Sequence, residues 1–339
     1  MDARLQGYFV SKRAQRAFDR HCDQDAQLKA RWKQMGSTER SLNYHELNIL
    51  TKEELVPQDL CLLAGRQFQI SEYGILGYAM KSAQTLSQAL HLASKYHQTA
   101  APLLNVNFAA NDDLYEVVLE NTGVLDEGVF FLLVEELMAT FPRVVYQLTG
   151  EEILAEKIEL SYADTGHWQS YEKVFNCVPS FAAPRCVFAF SLQALDLPLL
   201  AKDSNMLKLL DRRCQDLLDF ASSGQGLGHN VTRLLLQQLS SVNSANDICS
   251  LLNISERTLR RNLAKENTSF QALLDDVRQR FAEDCLGTTT LSVQEVAELV
   301  GYTEASNFRR AFQRWTSRTP DNFRVNALSD QQPAATLDQ

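Results

Sequence analysis

"SNFRRAFQRW", residues 306–315, sets two arginines between two phenylalanines and follows them with a third arginine and a tryptophan. At about 100° per residue, Phe308, Ala311, Phe312 and Trp315 share one helix face. Ser306, Arg310 and Gln313 lie opposite, with Arg309 and Arg314 on the flanks. The upstream stretch "LRRNLAKE" (259–266) matches "FRRAFQRW" (308–315) position by position in its apolar and basic pattern. There Leu259 and Leu263 form the apolar face, Arg257 and Arg261 lie opposite, and Arg260 and Lys265 flank them. An amphipathic helix with arginines is by default only a solvated face. Two matching helices in one chain argue against that default.

Each of these helices follows a shorter one with a start signal. Ser244 with Asp247, and Ser292 with Glu295, have the capping-box spacing. The short helices end in "LNIS" (252–255) and "VGYTEAS" (300–306), where Asn253 and Gly301 are residue types that tolerate a left-handed C-cap. Helix, tight turn and second helix with outward arginines, twice over, reads as a pair of helix-turn-helix units. Between them "FQALLDDVRQRFAEDCL" (270–286) keeps Phe270, Leu273, Leu274, Val277 and Phe281 at helical spacing. A helix of that length spans about 25 Å. It would hold two recognition helices about one DNA turn apart, roughly 34 Å, over successive major grooves.

Bulk properties set limits on the rest. The chain has 339 residues, a net charge of −9, 45% hydrophobic and 22% charged residues, which is ordinary composition for two globular domains. Residues 226–339 carry 12 Lys and Arg against 13 Asp and Glu, so the arginines act through placement rather than bulk charge. The longest apolar run, "VFFLLV" (129–134), is far too short to span a bilayer. No apolar leader segment opens the chain, so a cytoplasmic protein without membrane contact is expected. Seven cysteines form no C-x-x-C pair and read as reduced and mostly buried. The six histidines form no zinc motif, and no P-loop, G-x-S-x-G or dinucleotide fingerprint is present. The carboxylate pairs Glu135–Glu136 and Glu151–Glu152 diverge on a helix and are expected on solvated faces. No catalytic residue, cofactor or metal site is expected.

The expected organisation has four parts. Residues 1–220 form an α+β effector-binding or dimerisation domain, 221–230 ("ASSGQGLGHN") a linker, 231–325 an all-α double helix-turn-helix domain, and 326–339 a disordered tail. Helices are expected at 84–97, at 128–147 and over "NMLKLLDRRCQDLLDF" (205–220). Strands are expected at 103–109, 114–120, 153–160 and 186–190. Further helices are expected near 230–241, 245–251, 256–266, 270–286, 293–300 and 304–316. "FQISEYGILGYAM" (68–80) and "VFFLLVEELM" (129–138) offer apolar side chains to line a ligand pocket or fill the core, and effector-binding residues are left unassigned.

On these residues the chain resembles a known family. "LSVQEVAELVGYTEASNFRRAFQRWTSRTPDNFR" (291–324) and "ICSLLNISERTLRRNLAKENTSFQALLDDVR" (248–278) are similar to the DNA-binding domain of AraC/XylS transcription regulators. The resemblance implies two helix-turn-helix units joined by a linker helix. It implies base contacts from Arg257, Arg260, Arg261, Ser306, Asn307, Arg309 and Arg310. Phosphate contacts are expected from Ser255, Lys265, Gln313 and Arg314. Asn267 and Ser317 stand where the family often has glycine. "YGILGYAMKSAQTLSQALHLASKYHQTAAPLL" (73–104) and "FNCVPSFAAPRCVFAFSLQALDLPL" (175–199) resemble the sensor domain of a subgroup with an arabinose-binding-type region. The helices at 84–97 and 128–147 argue against the purely β cupin barrel of other members. The function expected is a sequence-specific transcription regulator, an activator by resemblance, controlled by a small-molecule effector. Double-stranded promoter DNA, RNA polymerase and a second copy of the chain are its expected partners. The competing reading is a ligand-binding or ligand-converting protein whose helical C-terminal part only mediates interactions.

Overall fold

A computed structural model describes residues 11–35, 42, 44–100, 103–123, 125–164, 166–223, 226–237, 239, 242, 244–252 and 254–330. Their internal contacts divide them into two units. The first comprises the described residues of Met1–Ile70, Ala83–Lys202 and Ser250–Asn253, and the second those of Ser71–Ser82, Asp203–Cys249 and Ile254–Gln339.

The first unit has a four-stranded antiparallel sheet in the order β1-β2-β4-β3, with β1 Leu104–Asn111, β2 Leu114–Asn121, β3 Lys157–Glu159 and β4 Cys186–Ser191. Asn111 pairs with Leu114, so Asp112 and Asp113 close a two-residue hairpin, and Asp112 takes the positive φ of 51° such a turn requires. Cys186 to Phe190 of β4 are all buried, as expected of an interior strand. The strand expected over 153–160 is shorter. Only Lys157–Glu159 form a ladder with β4, while Glu156 N still donates to the Ala189 carbonyl.

Helices α1 (Lys12–Gln24), α2 (Ala26–Gln34), α3 (Tyr44–Lys52) and α4 (Leu60–Gly65) precede the sheet in sequence. The second unit claims α5 (Ile75–Ser82), and α6 (Leu86–Ala100) leads into β1. The long α7 (Glu127–Thr149) follows β2, and α8 (Trp168–Phe175) lies between β3 and β4. Asp126 caps α7 by accepting from Val129 N, and Gly150 ends it at φ 80°. Because α7 packs against α3, α4, α6 and α8, it is buried on nearly all sides. Phe141 of α7 stacks on Phe188 of β4 at 5.7 Å, and Phe175 of α8 meets the same ring at 5.7 Å.

Burial of α7 overturns the expectation of a solvated face for Glu135–Glu136, which are 3% and 4% exposed. Adjacent on the helix, they diverge into two separate networks. Glu136 accepts from Arg13 (3.1 Å) and from the Tyr44 hydroxyl (2.6 Å), while Glu135 accepts from His167 (2.9 Å) and Tyr171 (2.6 Å). Partners from distant parts of the chain make two buried carboxylates tolerable.

The second unit is entirely helical. It contains α5, α9 (Ser204–Ser223), α10 (Leu227–Gln237), α11 as far as Cys249 (Ala245–Leu252 in all), α12 (Glu256–Lys265), α13 (Phe270–Thr288), α14 (Val293–Leu299), α15 (Ala305–Thr316) and α16 (Pro320–Asp330). The described residues of 221–230, a stretch expected as a linker, lie inside this unit. Here α9 runs to Ser223 and α10 begins at Leu227, whose N–H and that of Gly228 donate to the Glu266 carboxylate at 3.0 and 2.8 Å. α9 packs on α5, α10 and α13, so the change of unit falls near residue 203. The tail expected to be disordered from 326 is helical to Asp330, and residues 331–339 lie outside the described ones. In the segment 68–80, expected to line a pocket or fill the core, Ile75, Leu76, Ala79 and Met80 are buried where α5 meets α9.

Candidate DNA-binding surface

Each helix-turn-helix unit is closed by hydrogen bonds the sequence encodes. Ser292 and Glu295 make a reciprocal capping box at the start of α14. Ser244 N–H and hydroxyl donate to Asp247, whose N–H donates back to Ser244 Oγ at 3.2 Å, ahead of α11. At the end of α14, Gly301 takes φ 84°. Its N–H donates to Glu298 O and that of Tyr302 to Ala297 O, which is the paired bonding of a Schellman turn. The α12 terminus repeats this pattern, with Asn267 N–H donating to Ala264 O and Thr268 N–H to Leu263 O. Ile254 N–H donates to Cys249 O after α11, and Asn253, expected as a left-handed cap, lies outside the described residues.

Two features escaped sequence reasoning. Gln294 on α14 accepts from Ala305 N–H (3.2 Å) and donates to Thr303 O (3.3 Å), clamping the turn and satisfying an orphan donor of α15. The α15 N-cap, Glu304, makes no side-chain cap bond, so the clamp takes its place. The second is Arg278 on α13, which is buried with its guanidinium 4.9 Å from the Tyr302 ring centroid. Burial lowers its pKa. Arg278 thus ties α13 to the turn of the second unit. Neither residue carries a local signal beyond helical position, because their roles depend on tertiary neighbours.

The apolar faces are where the wheel puts them. Leu259, Leu263, Phe308 and Phe312 are at most 1% exposed. Tyr302 meets Phe308 at 5.9 Å and Trp315 edge-on at 6.3 Å. On the outward faces, Arg257, Arg260, Arg261, Ser306, Asn307, Arg309 and Arg310 are all exposed, as are Ser255, Lys265, Gln313 and Arg314. Three of them have intramolecular duties. Ser255 caps α12 by accepting from Thr258 N–H, Arg309 pairs with Asp321 of α16, and Arg314 pairs with Asp275 of α13 at 3.4 Å. Arg257, Arg260, Arg261 and Arg310 have no carboxylate partner among the described residues.

Comparisons with known proteins bear on this surface. Residues 45–199 match the model described as the arabinose-binding domain of AraC transcription regulator, N-terminal, and residues 248–326 match a helix-turn-helix domain model. Over 283 residues the chain is 30% identical to the ornithine utilization regulator of Pseudomonas aeruginosa, covering 84% of this chain and 83% of that one. The chain belongs to the AraC family of transcription regulators. This AraC-family chain is also 23% identical over 281 residues to the HTH-type transcriptional regulator VqsM of the same organism, covering 77% and 82% of the two chains. The transcriptional regulator CdpR from Pseudomonas aeruginosa covers 94% of this chain and 99% of its own at 22% identity, with a TM-score of 0.42. As a member of the family, the protein is a helix-turn-helix DNA-binding regulator rather than an enzyme. Among the described residues no helix is long and apolar enough to cross a membrane.

Proposed function

We propose that this regulator is a cytoplasmic, sequence-specific activator controlled by a small-molecule effector. α12 and α15 read bases through Arg257, Arg260, Arg261, Ser306, Asn307, Arg309 and Arg310. Ser255, Lys265, Gln313 and Arg314 hold phosphates. The observation that carries the reading is the pair of matching helices, each with a buried apolar face and an outward basic one. Arginine suits this role because its planar fork pairs with the O6 and N7 acceptors of guanine in the major groove. The N-terminal α+β part holds the effector and supplies the contact between two copies, and RNA polymerase is the partner at the promoter. A relative matching most of the chain is named a regulator of ornithine utilization, which supports control of a metabolite-use gene set.

Mapping bound sites across the genome, followed by footprinting at several salt concentrations, tests the reading. Discrete sites upstream of co-regulated genes are expected, with protection over two successive major grooves. Binding that scrambled competitor DNA abolishes equally well would overturn sequence-specific function.

A further inference from the structure

α7 opens beside a pocket of about 480 Å³ within the first unit. Its walls come from α3, the start of α7, and the segments carrying Tyr162 and His167. Gly128 allows the approach of α3 to α7, because a Cβ there would lie 2.2 Å from Asn48 Oδ1. One part of the wall is apolar, built from Ile49, Leu132 and the Phe131 and Tyr162 rings, whose centroids are 4.0 Å apart.

The ionisable lining is lopsided. Three carboxylates, Asp126, Glu127 and Glu135, face the pocket with one lysine, Lys52, and the histidines His45 and His167. The positive end of the α7 dipole would ordinarily invite an anion. Here Asp126 already caps it and Glu127 occupies its first turn. Glu135 is the decisive residue. It is 3% exposed, and its Oε1 accepts both from His167 Nε2 and from the Tyr171 hydroxyl. Its Oε2 is buried with no hydrogen-bond partner. An unsatisfied buried carboxylate oxygen is costly and calls for a donor.

We propose that this pocket takes a small aliphatic molecule bearing a primary ammonium group, with the ammonium directed toward Glu135 and the alkyl chain against Phe131, Leu132 and Tyr162. The ammonium balances the carboxylates, and Glu135 Oε2, closed off from solvent, gains its donor when the side chain turns toward the ammonium. A carboxylate in its place would add a fourth negative group. This deepens the effector-controlled reading above and rests on it for any effect on transcription.

Calorimetric titration of the full chain with 1,5-diaminopentane and n-pentylamine, against 1-pentanol and pentanoate, tests the assignment. The two amines should bind, and the alcohol and acid should bind about tenfold more weakly or worse. Glu135→Gln should weaken amine binding by about tenfold or more. Should that variant not fold, Asp126→Asn keeps a side-chain acceptor for the α7 cap while removing a charge, and should also weaken the amines. Pentanoate binding better than pentylamine, no amine binding at millimolar concentration, or amine affinity untouched in both folded variants would each overturn the proposal. A promoter-reporter assay separates it from the broader reading. Amines that bind without changing transcription support the pocket and refute effector control. A reporter that responds only to amine-free metabolites, with no amine binding, does the reverse.

Discussion

The outward arginines are not equivalent. Arg261 and Arg310 sit opposite the apolar faces of α12 and α15 with no carboxylate partner, within two turns of each helix start. That is where a recognition helix meets base edges. Arg314 lies further along and is held by Asp275, so a phosphate is the group it would exchange that carboxylate for. Arg261→Ala or Arg310→Ala should cost about 1–3 kcal/mol at the specific site and relax preference at particular base pairs. Arg314→Ala should weaken specific and scrambled DNA alike and lower the salt slope by about one. Anisotropy titrations on both DNAs across salt concentrations check this, and equal loss on both for a folded Arg310→Ala would remove its base-reading role. Ser317 presents a separate case. It ends α15 at φ 59° without the freedom of glycine, and its N–H donates to Gln313 O. Ser317→Gly should therefore raise stability by about 1 kcal/mol, read as a higher denaturation midpoint with DNA affinity unchanged.

At the scale of elements, what could be read from sequence depended on how local the determining interactions are. The helices α11 to α15 carry capping residues, 3.6-residue periodicity and turn residues within their own spans, and their ends fall within about two residues of the expectation. α16 was missed, although Pro320 opens it and Thr319 Oγ1 accepts from Asn322 N–H, because "PDNFRVNALSD" has little apolar periodicity. α1 and α2 were missed as well, although Ser11 and Asp25 cap them and Ala14, Phe18 and Cys22 recur every four residues on the buried face of α1. The Glu135 network was illegible because its donors come from α8 and the loop before it, 36 and 32 residues away. That network carries a pH signature. Burial pulls His167 down, yet the Glu135 hydrogen bond and charge, with Asp59 and Asp164, leave its pKa raised. A raised histidine contributes stability that is full below the unfolded value near 6.5 and fades as pH climbs through the folded value. Denaturation midpoints reported by the first unit should therefore decline as pH rises above about 6.5. Glu135→Gln should flatten that decline, and an unchanged slope in the variant would exclude His167 as its source.

At the scale of the whole molecule, the question is what an isolated DNA-binding fragment must contain. The expected domain of 231–325 begins after α9 and ends inside α16. Met206, Leu210, Cys214 and Leu217 of α9 are buried, and α9 packs on α10 and α13 and pairs Arg213 with Asp284. Cutting at 227 uncovers the matching faces of α10 and α13, at about 1.5–3 kcal/mol for each large apolar side chain returned to water. Ending at 325 removes the last turns of α16, although Arg324, which donates to the Leu291 carbonyl, is kept. We therefore propose that a fragment from Asp203 to Asp330 folds alone and binds the specific site more weakly than the full chain. The Leu227–Asp330 fragment should be helical but melt at a markedly lower temperature. The longer fragment has its own liability, because it lacks α5 and leaves one face of α9 uncovered. It should gain solubility when apolar residues on that face are made polar, whereas the shorter one exposes instead the faces of α10 and α13 that α9 covers. Thermal melts by circular dichroism and anisotropy on specific DNA distinguish the cases. Equal melting temperatures for the two fragments would show that α9 adds nothing to the helix-turn-helix core and would move the boundary back to the glycine-rich stretch.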